Sequence, residues 1–239
     1  MRFFMIVLLF TALAIAQEDS SSPWTGTVSL GSLFTSGNIE SKQIDAGLEF
    51  SREIAGPVFV AGLEATASYG SQDDETYREK YLTAGTLHYD ITDNNFTTAR
   101  GYWTQDEFAG ISREYGGSAG LGRSFINRDA FRIAMDAGAG FLTRENTADS
   151  TLETSIWYSG LNLNWDISDS WKLTESVRFD GDFQDSENYF IESSLEASSS
   201  ITGSLSFVLG YDIIHYNQPP VEGNEKTDTA LRLQLRLAI

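Results

Sequence analysis

The sequence predicts an all-β protein: a single transmembrane antiparallel up-and-down β-barrel of about twelve strands, preceded by a signal peptide. Three observations carry this. Apolar and polar residues alternate with a period of two through most of the chain, which puts one set on each face of a strand. The alternating segments recur roughly every 18 to 19 residues, long for a soluble sandwich and suited to tilted membrane strands. No stretch carries the i, i+3, i+4, i+7 spacing of a helix over three turns.

The chain opens on an address. MRFFMIVLLFTALAIA holds one charge, Arg2, then an apolar run ending in the small-x-small pattern Ala14-Ile15-Ala16. That is the pattern of a secretory signal peptide over residues 1–16. Its apolar run falls short of the ~20 residues of a spanning helix. Residues 17–23 form a short N-terminal segment and residues 24–239 the barrel. Strands are expected at 24–34, 39–52, 58–70, 77–91, 95–106, 111–125, 130–143, 152–167, 171–183, 188–201, 205–216 and 227–239. The last is the clearest: Leu231, Leu233, Leu235, Leu237 and Ile239 share one face, and Arg232, Gln234, Arg236 and Ala238 the other. Earlier, Trp157, Leu161, Leu163 and Trp165 stand opposite Gly160, Asn162, Asn164 and Asp166.

The connections alternate too. Tight turns follow even strands: AGP at 55–57, TDNN at 92–95, INRD at 126–129, SDS at 168–170 and TGS at 202–204. Longer acidic stretches follow most odd strands: SQDDET at 71–76, RENTADST at 144–151, QDSE at 184–187 and NQPPVEGNEK at 217–226. Short turns at one end and longer loops at the other are the outer-membrane pattern, with both termini on the periplasmic side. Alternation alone does not separate a barrel from a sandwich. Aromatics near the strand ends do, because membrane interfaces favour two such bands. Trp24, Phe50, Phe131, Trp165 and Trp171 fall at the turn end, and Tyr69, Trp103, Trp157 and Tyr189 at the loop end.

Composition excludes several functions. A net charge of −18 opposes nucleic-acid binding. Without Cys there is no disulfide framework, thiolate site or Cys nucleophile. An apolar fraction of 41% with 13% aromatic residues is too rich for a disordered chain.

The opening WTG at 24–26, then Gly31 and TSGN at 35–38, resembles the start of the salt-induced outer membrane protein family. DEFAGISREYGGSAGLGR at 106–123, with Arg113 and Gly120-Leu121-Gly122, is similar to that family's central region, and Gly138-Ala139-Gly140 follows in place. The resemblance covers nearly the whole mature chain and implies an outer-membrane β-barrel of a Gram-negative type envelope. It brings no established activity. The terminal ALRLQLRLAI looks like the signal read by the barrel-assembly machinery, except that it ends in Ile239 where an aromatic is usual.

Candidate chemistry is sparse. GGSAG at 116–120 matches the G-x-S-x-G elbow around Ser118, but the flanking residues read as strand, whereas the elbow needs a strand, a turn and a helix. His215 and Ser193 fall on the outer face of neighbouring strands. A turn centred on Gly203 makes paired numbers sum to about 406 and leaves the two a diagonal ~7 Å apart, beyond general-base reach. His88 faces inward, toward a lumen carboxylate. Asp180, Asp182, Asp185 and Glu187 could hold a divalent cation, though a solvated acidic loop is the favoured reading. No catalytic residue, metal site or cofactor is expected.

The lumen is the most informative region. Parity turns inward the acids Asp45, Glu49, Glu64, Asp90, Asp136, Asp166, Asp180, Asp182, Glu192, Glu196 and Asp212. It also turns inward the bases Arg78, Lys80, Arg100, Arg132, Lys172, Arg178, Arg232 and Arg236. The acids lead slightly. No connection is long enough for a plug domain, which favours water inside. Glu175 breaks the parity by falling on the outer face, and a β-bulge is the preferred explanation over an oligomer contact. The expected function is a narrow passive channel for small solutes or ions with weak cation preference. The alternatives are a closed structural or envelope-interaction barrel and, last, a lipid-modifying enzyme. The expected partners are outer-membrane lipid and, during biogenesis, the barrel-assembly machinery.

Overall fold

The structure, a computed structural model, describes residues 24–35, 41–54, 58–72, 75–221 and 223–239. The signal segment 1–16, residues 17–23, most of the TSGN motif and the AGP turn lie outside them.

Twelve strands run in chain order: β1 (Trp24–Thr35), β2 (Ser41–Glu53), β3 (Phe59–Gln72), β4 (Glu75–Thr92), β5 (Asn95–Asp106) and β6 (Ile111–Arg128). They continue as β7 (Phe131–Asn146), β8 (Thr151–Asp166), β9 (Trp171–Asp182), β10 (Tyr189–Ser200), β11 (Leu205–Tyr216) and β12 (Thr227–Ala238). Each is antiparallel to its sequence neighbour, and β12 returns to pair with β1, so the sheet closes into a barrel. The β3–β4 connection is not a long loop: Gln72 pairs with Glu75, and the two strands run on almost until they meet. A register shift at Gly70/Ser71 absorbs the extra residue on β4, which the alternation alone did not show.

The exposure pattern inverts that of a soluble sandwich. On β12, Leu231, Leu233 and Leu235 are 65%, 47% and 50% exposed, while Gln234 between them is 7% exposed. Leu63, Leu87, Leu121, Met135, Phe207, Leu209 and Tyr211 continue the exposed apolar surface around the barrel. Such an area cannot face water in a stable monomer and suits hydrocarbon. Aromatics bracket it. At the turn end Phe131 meets Trp165 edge-on at 6.1 Å, and the Arg52 guanidinium lies 5.1 Å from the Trp24 ring. At the loop end Trp157, Phe179 and Tyr189 stack in sequence at 5.1 and 5.3 Å. Phe50 stands against Gly26, and Tyr69 shares a hydrogen bond with Thr76. Trp103 is paired with Tyr115, and Trp171 is exposed at the start of β9.

Inside, glycines of β6 seat aromatic rings. A Cβ on Gly122 would run into the Phe96 ring, one on Gly120 into the Tyr158 hydroxyl, and one on Gly116 into Tyr102. With Leu142 and Ile156, also buried, these rings fill the interior along β5–β8.

Glu175 sits in unbroken register, opposite Leu163 on β8 and Leu195 on β10. No bulge re-aims it. Instead the Ser193 hydroxyl donates to its carboxylate at 3.1 Å, a local partner on the same outer face.

Replacing Gly122 with Ala is expected to destabilise the barrel by about 1–3 kcal/mol through overpacking against Phe96. Combining it with Phe96→Ala should recover part of the loss. Guanidinium unfolding of detergent-refolded barrel, followed by heat-modifiable gel mobility, measures both; additive effects would show that the ring does not depend on the glycine.

Candidate functional site: the charged lumen

The interior opposite the aromatic wall is a cavity of about 640 Å³ whose lining comes mainly from β2–β5 and β9–β12. Twelve of the charged residues that parity turns inward line it: Asp45, Glu49, Glu64, Arg78, Lys80, Arg100, Arg178, Glu192, Glu196, Asp212, Arg232 and Arg236. Asp106 and Asp228 join them. The acids therefore number eight and the bases six.

Several of these charges are tied together. Arg232 makes two bonds to Asp212, one of them at 2.8 Å, and contacts Glu196 at 3.2 Å. Arg236 binds the same Glu196 at 3.0 Å. The Ser194 hydroxyl donates to Asp212 at 2.7 Å. Lys80 meets Asp106 at 3.4 Å and Arg100 meets Glu64 at 3.9 Å. Other groups have no protein partner: Asp45 Oδ1, Arg78 Nε, Arg100 Nε and Arg236 Nε are buried without a hydrogen bond. Each such atom carries a desolvation cost that no protein hydrogen bond offsets. Glu49 and Glu192 enter no ion pair among the described residues.

Seven predicted lumen charges lie outside this cavity. Asp136 backs Gly160 beside Tyr158, while Asp90, Arg132, Asp166 and Lys172 lie toward the turn end, with Asp90 bound to His88 at 3.0 Å. Asp180 is fully buried and held by both arms of Arg178 at 2.8 Å. Asp182 is a cap: it accepts from the Gln184 backbone at 2.7 Å and the Asn188 amide at 2.9 Å. With Asp185 and Glu187 exposed in the β9–β10 loop, these carboxylates do not converge, and no metal-sized acidic group occurs among the described residues.

Parity reading did not single out Glu114 and Arg144, which are directly paired on β6 and β7 and bonded to each other in the interior. The Arg144 guanidinium also lies 5.1 Å from the Tyr216 ring, across the lumen on β11. The Tyr102 hydroxyl donates to Glu114 at 2.8 Å. The register was a usable signal: numbers paired on β6 and β7 sum to 258, as Gly120 and Gly138 do, and that sum places Glu114 opposite Arg144.

The loop end is partly roofed. The β11–β12 connection is too short for a domain, yet it crosses the mouth. Asn217 donates to the Glu187 carbonyl at 2.8 Å, and Asn146 donates to the Pro220 carbonyl at 2.8 Å. Val221 lies against Gly110, whose φ of 83° a side chain would disfavour.

The enzyme-like candidates do not assemble. Ser118 lies within β6 with no turn or helix, accepting from Arg178 at 3.4 Å. His215 is opposite Ile191 and Ser193 opposite Ile213, the diagonal that the sum of 406 gives. His215 bonds Thr227 at 2.8 Å, while the Ser193 hydroxyl donates to the Glu175 carboxylate, so the imidazole does not touch the hydroxyl.

Residues 28–238 match the family described as "Protein of unknown function, DUF481". The chain is 24% identical over 238 residues to the uncharacterized protein YdiY of Escherichia coli K12, covering 95% of this chain and 92% of that one. Among solved structures it is similar to the COG4313 outer membrane channel of Pseudomonas putida F1. The TM-score is 0.57 at 9% identity, over 93% of this chain and 100% of that one. The NanC porin matches with a TM-score of 0.51 at 9% identity, over 89% and 97%. These likenesses show the fold of an outer-membrane β-barrel.

Arg144→Met is expected to destabilise the barrel by about 3–5 kcal/mol, because it strands the buried Glu114 carboxylate. The double variant with Glu114→Gln should regain most of that. A double-mutant cycle by guanidinium unfolding measures the coupling; a single variant as stable as the parent would show that the pair contributes nothing.

Proposed function

We propose that this chain, which belongs to the DUF481 family of proteins of unknown function, forms a narrow passive channel for small solutes or ions in the outer membrane. In this reading its loops face outward and both termini face the periplasm. The observation that carries the proposal is the cavity of about 640 Å³, lined by charged groups of which several buried atoms have no protein partner. Dry, those atoms would each carry an uncompensated desolvation cost. Wet, they line an aqueous path on which guanidinium and carboxylate groups interleave.

Selection is electrostatic, with no bond made or broken. Eight acids against six bases give the path a small negative excess, which favours cations weakly. The unpaired Glu49 and Glu192 supply accessible charge, because salt-bridged carboxylates are already compensated. The aromatic wall confines the path to one side of the lumen. A second reading, a closed structural barrel, draws on the β11–β12 connection across the mouth and the Glu114–Arg144–Tyr216 cluster beneath it. The channel reading asks only that the hydrated half stay clear.

The test is single-channel recording in a planar bilayer under a salt gradient. Discrete steps with a cation-biased reversal potential are expected. Glu49→Gln combined with Glu192→Gln should move that potential toward zero without changing unfolding stability. Silent bilayers from barrel that keeps its heat-modifiable mobility would overturn the channel and support the closed barrel.

A further inference from the structure

A second cavity, separate from the lumen, lies at the loop end beneath the β11–β12 connection. It encloses about 320 Å³, within the range of small-ligand sites (~300–1,000 Å³). Four segments build it: the end of β7, the start of β8, the β9–β10 loop and the Gln218-Pro219-Pro220 stretch. The roof is pinned by Asn146 to the Pro220 carbonyl at 2.8 Å and by Gln218 to Asp185 at 3.2 Å.

Arg144 lines this cavity and is 5% exposed. Its Nε is spent on Glu114, but its Nη2 is buried with no hydrogen-bond partner. A guanidinium donor left unmatched beside a half-open polar cavity calls for an acceptor. Asp182 lines the same cavity, held rigid by the Gln184 backbone and the Asn188 amide and approached also by the Thr154 hydroxyl and the Asp185 backbone. The Gln184 side chain adds a donor and an acceptor, and Leu152, Pro219 and Pro220 add apolar faces.

We propose that this cavity binds a neutral saccharide unit. A hydroxyl group accepts from Arg144 Nη2 and donates to Asp182 at the same time, and a sugar ring presents several such groups beside C–H faces that suit proline and leucine. An anionic ligand is disfavoured, because Glu114 already balances Arg144 and Asp182, Asp185 and Glu153 line the cavity. A metal ion is disfavoured, because no three acidic or imidazole groups converge among the described residues. The site stands whether or not the lumen conducts, so the bilayer recording and the binding test fail independently.

The full barrel, refolded into detergent, is titrated with glucose and with galactose, using saturation-transfer NMR and calorimetry, with glucuronate and calcium as controls. Saturable binding of at least one neutral sugar is expected, with glucuronate about tenfold weaker. Asp182→Asn and Gln184→Ala should each weaken binding by about tenfold, the scale of one lost hydrogen bond in a polar site. Gln184→Ala lies outside the Glu114–Arg144 pair and so keeps the test open if other variants misfold. Natively mobile barrel that binds neither sugar saturably would overturn the proposal. So would sugar affinity unchanged by Gln184→Ala, or calcium binding that Asp182→Asn abolishes while neither sugar binds.

Discussion

Closure of the sheet is the constraint on which everything else rests. Hydrocarbon offers backbone N–H and C=O groups no partner, so a strand can cross it only when both of its edges are bonded. The pairing of β12 with β1 supplies the last edge. Once the edges are closed, pleating alone sorts the side chains: one face meets lipid, and the other has nowhere to go but inward. Most of the charge that makes this sequence so acidic, which would hinder a soluble core, is thereby directed to the lumen and the loops, with Glu175 the described exception.

That confinement creates the two unlike halves of the interior. Along β5–β8, glycines give up their side-chain volume to neighbouring rings, and the wall becomes a dry, packed core. Along β10–β12 and β2–β4, arginines and carboxylates, several bonded through Arg232, Asp212, Glu196 and Arg236, leave a charged cavity. Where the halves meet at the loop end, Arg144 belongs to both: it closes the packed side through Glu114 and Tyr216 and faces the roofed pocket with a spare donor. The register carries no strain at Glu175, because a serine one strand away shares the load of an acid on the lipid face.

Much of the architecture was legible in the sequence because period-two patterning reads face directly and a turn centre reads register. The His215–Ser193 diagonal followed from Gly203 alone, and the strand count followed from the alternating segments. The β3–β4 connection was misjudged because SQDDET has loop composition, yet its backbone pairs nearly to the tip. Glu175 was misjudged because a bulge changes aim without leaving a mark in composition. What period two does not contain is distance across the lumen. Tyr216 and Arg144 lie four strands apart, and no local rule brings them together. The small size of the glycines is visible in the sequence, but the rings that use the space are not.

The seam has a mechanical consequence. β1 and β12 pair over Thr27–Gly31 and Gln234–Ala238, five rungs extended by the mutual backbone bonds of Gly26 and Ile239, whereas β1 and β2 share twelve. The charged cavity straddles that shorter ladder, with Ser29 on one side of it and Gln234 and Arg236 on the other. Lateral tension in the bilayer concentrates on the line with fewest rungs, so the zipper that yields first under stretch is also a wall of the cavity. A barrel built this way is softest beside its own hollow.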